Sequence, residues 1–422
     1  MRRVVVTGMG VVSPNANNIP TFEKALKNGQ SGIRYQPEME KHNFRCQVGG
    51  IPEIDESLLE PYFSVSALRA LRSTNIQYAC LASLEAYKDA GLQIDTANTS
   101  WDTGCIYGCS ISDVTHIKNV ILAVDEHRPR TLGSRYVAQC MTSGPSAYLS
   151  RIFGFGNHVF SNSSACSTGT ESLLMAYERI KSGLANRMLA GSCEPFSLYS
   201  WGAFDSMRVL NSKHNDQPEA ASRPFSQSAG GFVPGSGAAT LILEDLATAQ
   251  KRGAKIYAEI LGGAMLCGGQ RMGGTMTAPN SVGVQRCIQQ AIQNANIQAA
   301  DIDLIVGHLT ATMGDKIEVN NWREALGLPR DQFPYINSLK SMIGHCLSAA
   351  GSIECVGTIL QLYHGFVQPN INCEDLHEEI LQVVDENTIP RQKIDRPLQV
   401  AIKANFGFGD VNSCIVLKKY EA

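Results

Sequence analysis

Ser161-Asn162-Ser163-Ser164-Ala165-Cys166-Ser167-Thr168-Gly169-Thr170-Glu171 follows the β-prone run His158-Val159-Phe160 and leads into Leu173, Leu174, Tyr177 and Ile180. Those four residues recur at helical spacing, which predicts a helix with one apolar face and puts Cys166 at a strand-to-helix junction. The small residues and hydroxyls around it can expose first-turn amides, whose partial positive charge favours a thiolate over a thiol. A nucleophile fits this place. So does a buried, inert cysteine, and the stretch alone does not choose between them.

Outward from that junction, the chain has 422 residues, 44% of them hydrophobic, and can bury a large core in two domains or one duplicated one. A net charge of -3 gives no chain-wide basic field for nucleic acid or a membrane surface. The start, Met1-Arg2-Arg3-Val4-Val5-Val6, breaks into Gly, Ser, Pro and Asn too soon for a signal segment, and no apolar run approaches the ~18 residues of a membrane span. A cytoplasmic protein is expected. Thirteen cysteines are many, but the number is odd and the spacing irregular, so reduced thiols are expected. No pair of Cys and His couples completes a tetrahedral zinc set, so no metal is expected.

Strands and helices alternate along the whole chain, the mark of a layered α/β fold. Val4-Val5-Val6 reads as a strand ending in Gly8-Met9-Gly10, which lacks the third glycine and acidic residue of a dinucleotide fingerprint. Ser66 to Ala90 reads as one long helix exposing Arg69 and Arg72, and Asp125 to Arg135 as a polar connection holding Arg128 and Arg130. These arginines suit an anionic partner, or simply form a solvated face. After a break near Gln250 to Gly253 the pattern restarts, with one strand delivering His308 and another leading through Lys340 to Gly344-His345.

The second half echoes the first. Gly169 to Gly183 and Gly351 to Gly365 each span fourteen positions and each bound a helix that follows a strand. Packed about a pseudo-twofold axis, Cys166 and His345 would stand at facing helix N-termini. Division into residues 1–252, with the nucleophile, and 253–422, with the His and Lys motifs, follows from this reading.

Four ordered motifs now stand together: Ala165-Cys166-Ser167-Thr168-Gly169, His308-Leu309-Thr310-Ala311-Thr312 with Gly314-Asp315, Lys340-Ser341-Met342-Ile343-Gly344-His345, and Asn405-Phe406-Gly407-Phe408-Gly409. From Val4 to Lys418 the chain resembles the elongating β-ketoacyl-acyl-carrier-protein synthases of the thiolase-like superfamily. That resemblance implies a duplicated α-β-α-β-α fold with two five-stranded mixed sheets and no cofactor, the substrates being carried on the phosphopantetheine of an acyl carrier protein. It implies Cys166 as acyl acceptor, His308 and His345 as the decarboxylation pair, and Lys340 as their electrostatic support, with Glu318 as its expected salt-bridge partner. Phe408 is implied as gate and, with the Cys166 amide, as oxyanion hole. Thr310 and Thr312, alternate residues of an extended stretch, are implied as pantetheine contacts; Arg69, Arg72, Arg128 and Arg130 are implied as the carrier's docking face. A homodimer is implied as well.

The chain departs from the family at Leu309, expected to narrow the pantetheine end, and at Asp410 and Val411, expected to stiffen the gate. These departures suggest a specialised enzyme of polyketide or aryl polyene type. A thiolase is disfavoured because Cys414 sits in a strand pattern, an initiating synthase because the second motif ends in His345. An active subunit paired with a chain-length-factor-like partner stays open.

Overall fold

The computed structural model describes residues 2–421. Strand β1 (Val4–Val12) is buried at every position and runs through Gly8 and Gly10 instead of ending there. A Cβ on Gly8 would lie 2.3 Å from the Ala86 carbonyl oxygen, and one on Gly10 2.0 Å from that of Ala82. The two glycines therefore let a helix backbone lie directly on the strand.

The first half continues with β2 (Thr103–Gly108), β3 (Val159–Phe160), β4 (Arg187–Glu194) and β5 (Gly237–Asp245). Their order is β3-β2-β4-β5-β1, with β5 alone antiparallel. The second half supplies β6 (Ala258–Cys267), β7 (Leu304–Val306), β8 (Tyr335–Asn337), β9 (Val400–Gly407) and β10 (Val411–Lys419). Here the order is β8-β7-β9-β10-β6, with β10 alone antiparallel, so the same topology appears twice. The two five-stranded mixed sheets are joined where Val4, Val5 and Val6 of β1 pair with Ile260, Glu259 and Ala258 of β6, making one ten-stranded ladder.

Among the helices that build the layers are α1 (Thr74–Asp89), α2 (Thr168–Lys181), α3 (Ser281–Ala295), α4 (Gly314–Leu326) and α5 (Ala350–His364). Helix α1 packs on β1 and β5, α3 on β6 and β10, and α4 on α3, while α2 and α5 touch strands of both halves. Leu173, Leu174, Tyr177 and Ile180 all lie in the core that α2 shares with α5, each stabilising the fold by about 1.5–3 kcal/mol. The expected single helix over Ser66 to Ala90 is two, Val65–Ala70 and α1. The chain breaks at Leu71-Arg72-Ser73, where Gln139 accepts the Arg72 and Ser73 amides and so replaces the helical bonds. No helix among the described residues is long and apolar enough to cross a membrane.

Candidate active site

Cys166 follows Ala165, whose φ of 47° lies in the left-handed region that a residue with a Cβ avoids. Hydrogen bonds hold that conformation: the Ser164 amide donates to Thr168 Oγ1 at 2.8 Å, and Thr168 Oγ1 donates to the Ala165 carbonyl at 2.7 Å. Ser167 Oγ then reaches the carbonyls of Asn405 and Val411, both at 3.1 Å, fixing the turn to β9 and β10. The Cys166 side chain therefore faces the second half, although it is only 8% exposed.

What it meets there is histidine. His345 Nε2 lies 3.1 Å from Cys166 Sγ, and the His345 and His308 rings stand nearly perpendicular with centroids 5.1 Å apart. Sγ and one ring nitrogen from each histidine all lie within 4.8 Å of one another. The Leu347 amide donates to His345 Nδ1 at 3.3 Å, so the ring proton is on Nε2, facing the thiol. Burial, reinforced by the charge of Lys340, holds both imidazoles well below their ordinary pKa and keeps them neutral. Burial also pushes the Cys166 thiol up to about 12, against the pull of Lys340 and a hydrogen bond from the Phe408 amide.

Lys340 is fully buried, but its partner is Glu354 on α5, not Glu318. The second Glu354 oxygen takes a salt bridge at 2.8 Å from Lys403, another fully buried lysine, on β9. Burial raises the Glu354 carboxyl, and the two lysines outweigh burial and bring it below its usual range. The two cations with one anion leave the site's floor positive, which opposes a divalent metal on Cys166, His308 and His345. Glu318 does different work. Its carboxylate accepts the His308 and Leu309 amides, both at 2.7 Å, and the Trp322 indole at 3.2 Å, and so holds the backbone that carries His308.

Thr310 and Thr312 are half-buried, and their hydroxyls meet at 3.1 Å. They do so across a turn, because Ala311 has a φ of 62° and Asp315 gathers the amides of Thr310 and Ala311. An extended stretch is thus corrected to a loop. Leu309 is buried in the core with Val319 and Trp322 and does not narrow the pocket mouth. The half-buried Phe408 ring lies 6.1 Å from that of Phe204. Beside it, Asp410 accepts the Gln270 and Asn280 amides, each at 2.9 Å, and ties the end of β9 to the loop before α3. Arg69, Arg72, Arg128 and Arg130 are all exposed, and Arg128 pairs with Glu126.

Sequence reasoning missed Glu354, Lys403 and Asn405 as parts of this site. A charged residue inside the apolar strand pattern Val400-Ala401-Ile402-Lys403-Ala404 was the available signal.

A duplicated α/β fold with a cysteine at a helix start in one half and histidines from the other defines a thiolase-like enzyme. Two family descriptions match the chain: "Beta-ketoacyl synthase, N-terminal domain" over residues 1–249 and "Beta-ketoacyl synthase, C-terminal domain" over residues 257–374. The 3-oxoacyl-[acyl-carrier-protein] synthase 1 of Haemophilus influenzae is 35% identical over the full length of both chains. A β-ketoacyl synthase structure from Burkholderia phymatum superposes with a TM-score of 0.91 at 28% identity over all of both chains. A type II polyketide ketosynthase complex, described as an acyl-carrier protein with its ketosynthase bound to the hexaketide, has a TM-score of 0.88 at 30% identity. It covers 99% of this chain and 100% of its own. The chain belongs to the β-ketoacyl synthase family.

Proposed function

We propose that this chain is a β-ketoacyl-acyl-carrier-protein synthase that performs a decarboxylative Claisen condensation through Cys166, His308, His345 and Lys340. The carrying observation is the convergence of one thiol and two neutral imidazoles over a buried lysine, drawn from both halves of the fold. In the first half-reaction Sγ attacks an acyl thioester. The acyl C–S bond to the carrier breaks, and the thiol proton leaves with the pantetheine sulphur. The α2 N-terminus and Lys340 favour the thiolate as it forms, and the amides of Cys166 and Phe408 hold the tetrahedral oxygen. In the second, malonyl thioester loses carbon dioxide, and the electron pair of the broken C–C bond moves to the thioester oxygen. The Nε2–H groups of His308 and His345 donate to that oxygen where charge develops. The enolate carbon then attacks the acyl carbonyl, a C–C bond forms, and Cys166 leaves as thiolate.

On this reading Thr310 and Thr312 hold pantetheine, and Phe408 gates the acyl chain. The exposed Arg69 and Arg72, with Arg128 and Arg130, meet an acidic carrier protein. The chain acts in the cytoplasm without a cofactor and as a homodimer, one 1–252 and one 253–422 unit to each protomer. Its acyl chain is a specialised, polyketide-like one. Similarity to a type II polyketide ketosynthase supports a second reading, an active subunit paired with a chain-length-factor-like partner.

Intact-mass measurement after incubation with a panel of saturated, unsaturated and aryl acyl carriers tests the reaction. One acyl adduct per chain is expected, and none with Cys166→Ala. Absence of an adduct with every donor sinks the synthase reading, and equal rates on saturated and unsaturated chains sink the specialised one.

A further inference from the structure

Behind His308 lies a polar cluster that bulk packing does not require. Asn405 on β9 places Nδ2 3.2 Å from His308 Nδ1 and 3.2 Å from Glu354 Oε2. Its Oδ1 receives Lys403 Nζ at 2.8 Å and Thr170 Oγ1 at 2.7 Å. All of these groups except His308 are completely buried, and His308 is 9% exposed.

The chemistry of the partners fixes the amide. An ammonium only donates and an ionised carboxylate only accepts, so Oδ1 must face Lys403 and the NH2 must face Glu354. One amide hydrogen then goes to Glu354 and the other to His308. A nitrogen that receives this hydrogen is unprotonated, and the remaining ring proton of a neutral His308 sits on Nε2.

We infer that Asn405, oriented by Lys403 and Glu354, is a positioning residue that locks His308 in the Nε2–H tautomer and so makes it a hydrogen-bond donor to the reacting thioester oxygen. This rests on the synthase reading for the identity of that oxygen, though not for the tautomer. The two histidines are set by different means. A main-chain amide fixes His345 from its own turn, whereas His308 depends on a relay that begins at a lysine five residues before Phe408 in the chain. With Lys340 and Lys403 the only cations among these groups and Glu354 the one anion between them, an anion at position 405 would complete a two-against-two cluster.

Asn405→Asp therefore brings the buried charge into balance while putting an acceptor where the amide nitrogen was. His308 Nδ1 then carries the proton, and Nε2 faces the pocket bare. Nitrogen NMR on histidine-labelled protein should show His308 as the Nε2–H tautomer in the unaltered chain, its signal assigned by loss in His308→Asn, and as Nδ1–H in Asn405→Asp. Release of carbon dioxide from malonyl carrier should fall about a hundredfold or more, as on loss of an oxyanion donor, and far more than acyl loading of Cys166 falls. Asn405→Leu, which removes the amide from His308 and leaves Lys403 and Glu354 paired, should give mixed tautomers and a smaller loss, and covers the case in which the Asp variant does not fold. An Nδ1–H tautomer in the unaltered protein overturns the inference, as does an Asp or Leu variant that keeps the Nε2–H form. Failure of the unaltered chain to decarboxylate malonyl carrier sinks the synthase reading instead, and the tautomer measurement still decides the role of Asn405.

Discussion

Glu354 is the single anion between two fully buried lysines, and breaking a buried pair from one side leaves uncompensated charge at a cost of about 3–5 kcal/mol. Glu354→Gln should lose about that much unfolding free energy at pH 7 in urea titrations, and the double variant with Lys403→Met should recover part of it. The pH dependence has a definite sign. The two lysines bring the folded carboxyl below its ordinary value of 4.5, so its contribution is fully present above that unfolded value and fades as pH falls through the folded one. The gap between the unaltered protein and Glu354→Gln should therefore narrow as pH drops below about 4.5. A constant gap from pH 7 to pH 3 would refute this. Cys166, His308, Lys340 and His345 were legible in the sequence because each stands in one of the ordered motifs that carry the family resemblance. The Lys340 partner was not. Glu318, expected in that place, ties down backbone amides instead, whereas the pairing with Glu354 depends on where α5 settles against β9.

At the scale of elements, the site's precision comes from two helices that touch backbone to backbone. A Cβ on Gly169 would lie 2.4 Å from the Ser352 amide nitrogen, and one on Gly351 would lie 2.4 Å from that of Thr170. Helices α2 and α5 thus meet at the two glycines that mark their shared fourteen-residue interval. Because the obstructing atoms are main-chain, Gly351→Ala can be accommodated only by parting the helices, and overpacking of this kind costs about 1–3 kcal/mol. Parting them also moves His345, just ahead of α5, away from Cys166, just ahead of α2. The expected result is a lower melting temperature together with slower acyl loading; unchanged loading would show that the helix contact does not set the distance between thiol and imidazole. Sequence periodicity gave these helices well, but it joined Ser66 to Ala90 and drew Thr310 to Thr312 as extended. Both errors have one cause: side chains distant in sequence or in the next turn, Gln139 and Asp315, capture backbone amides that local propensity assigns to a helix or strand.

For the whole molecule, the repeated strand order makes ten strands one ladder with β3 at one end, six positions before Cys166. The duplication could be read from two glycine intervals, but the β1 to β6 junction could not, since a three-residue pairing leaves no periodic trace. The β3 edge is short and apolar, with Phe160 39% exposed. An open apolar edge is a template for another strand, and a second copy presenting the same edge satisfies both at once about a twofold axis. Sedimentation equilibrium should accordingly give twice the 45.7 kDa chain mass. Phe160→Lys, which sets like charges facing each other at that edge, should give the single-chain mass and reduce acyl loading, because the Cys166 turn hangs from β3. If the purified unaltered chain stays monomeric at concentrations where it loads acyl groups, the homodimer falls. If it dimerises only on co-expression with a distinct chain-length-factor-like subunit, the edge has a different occupant.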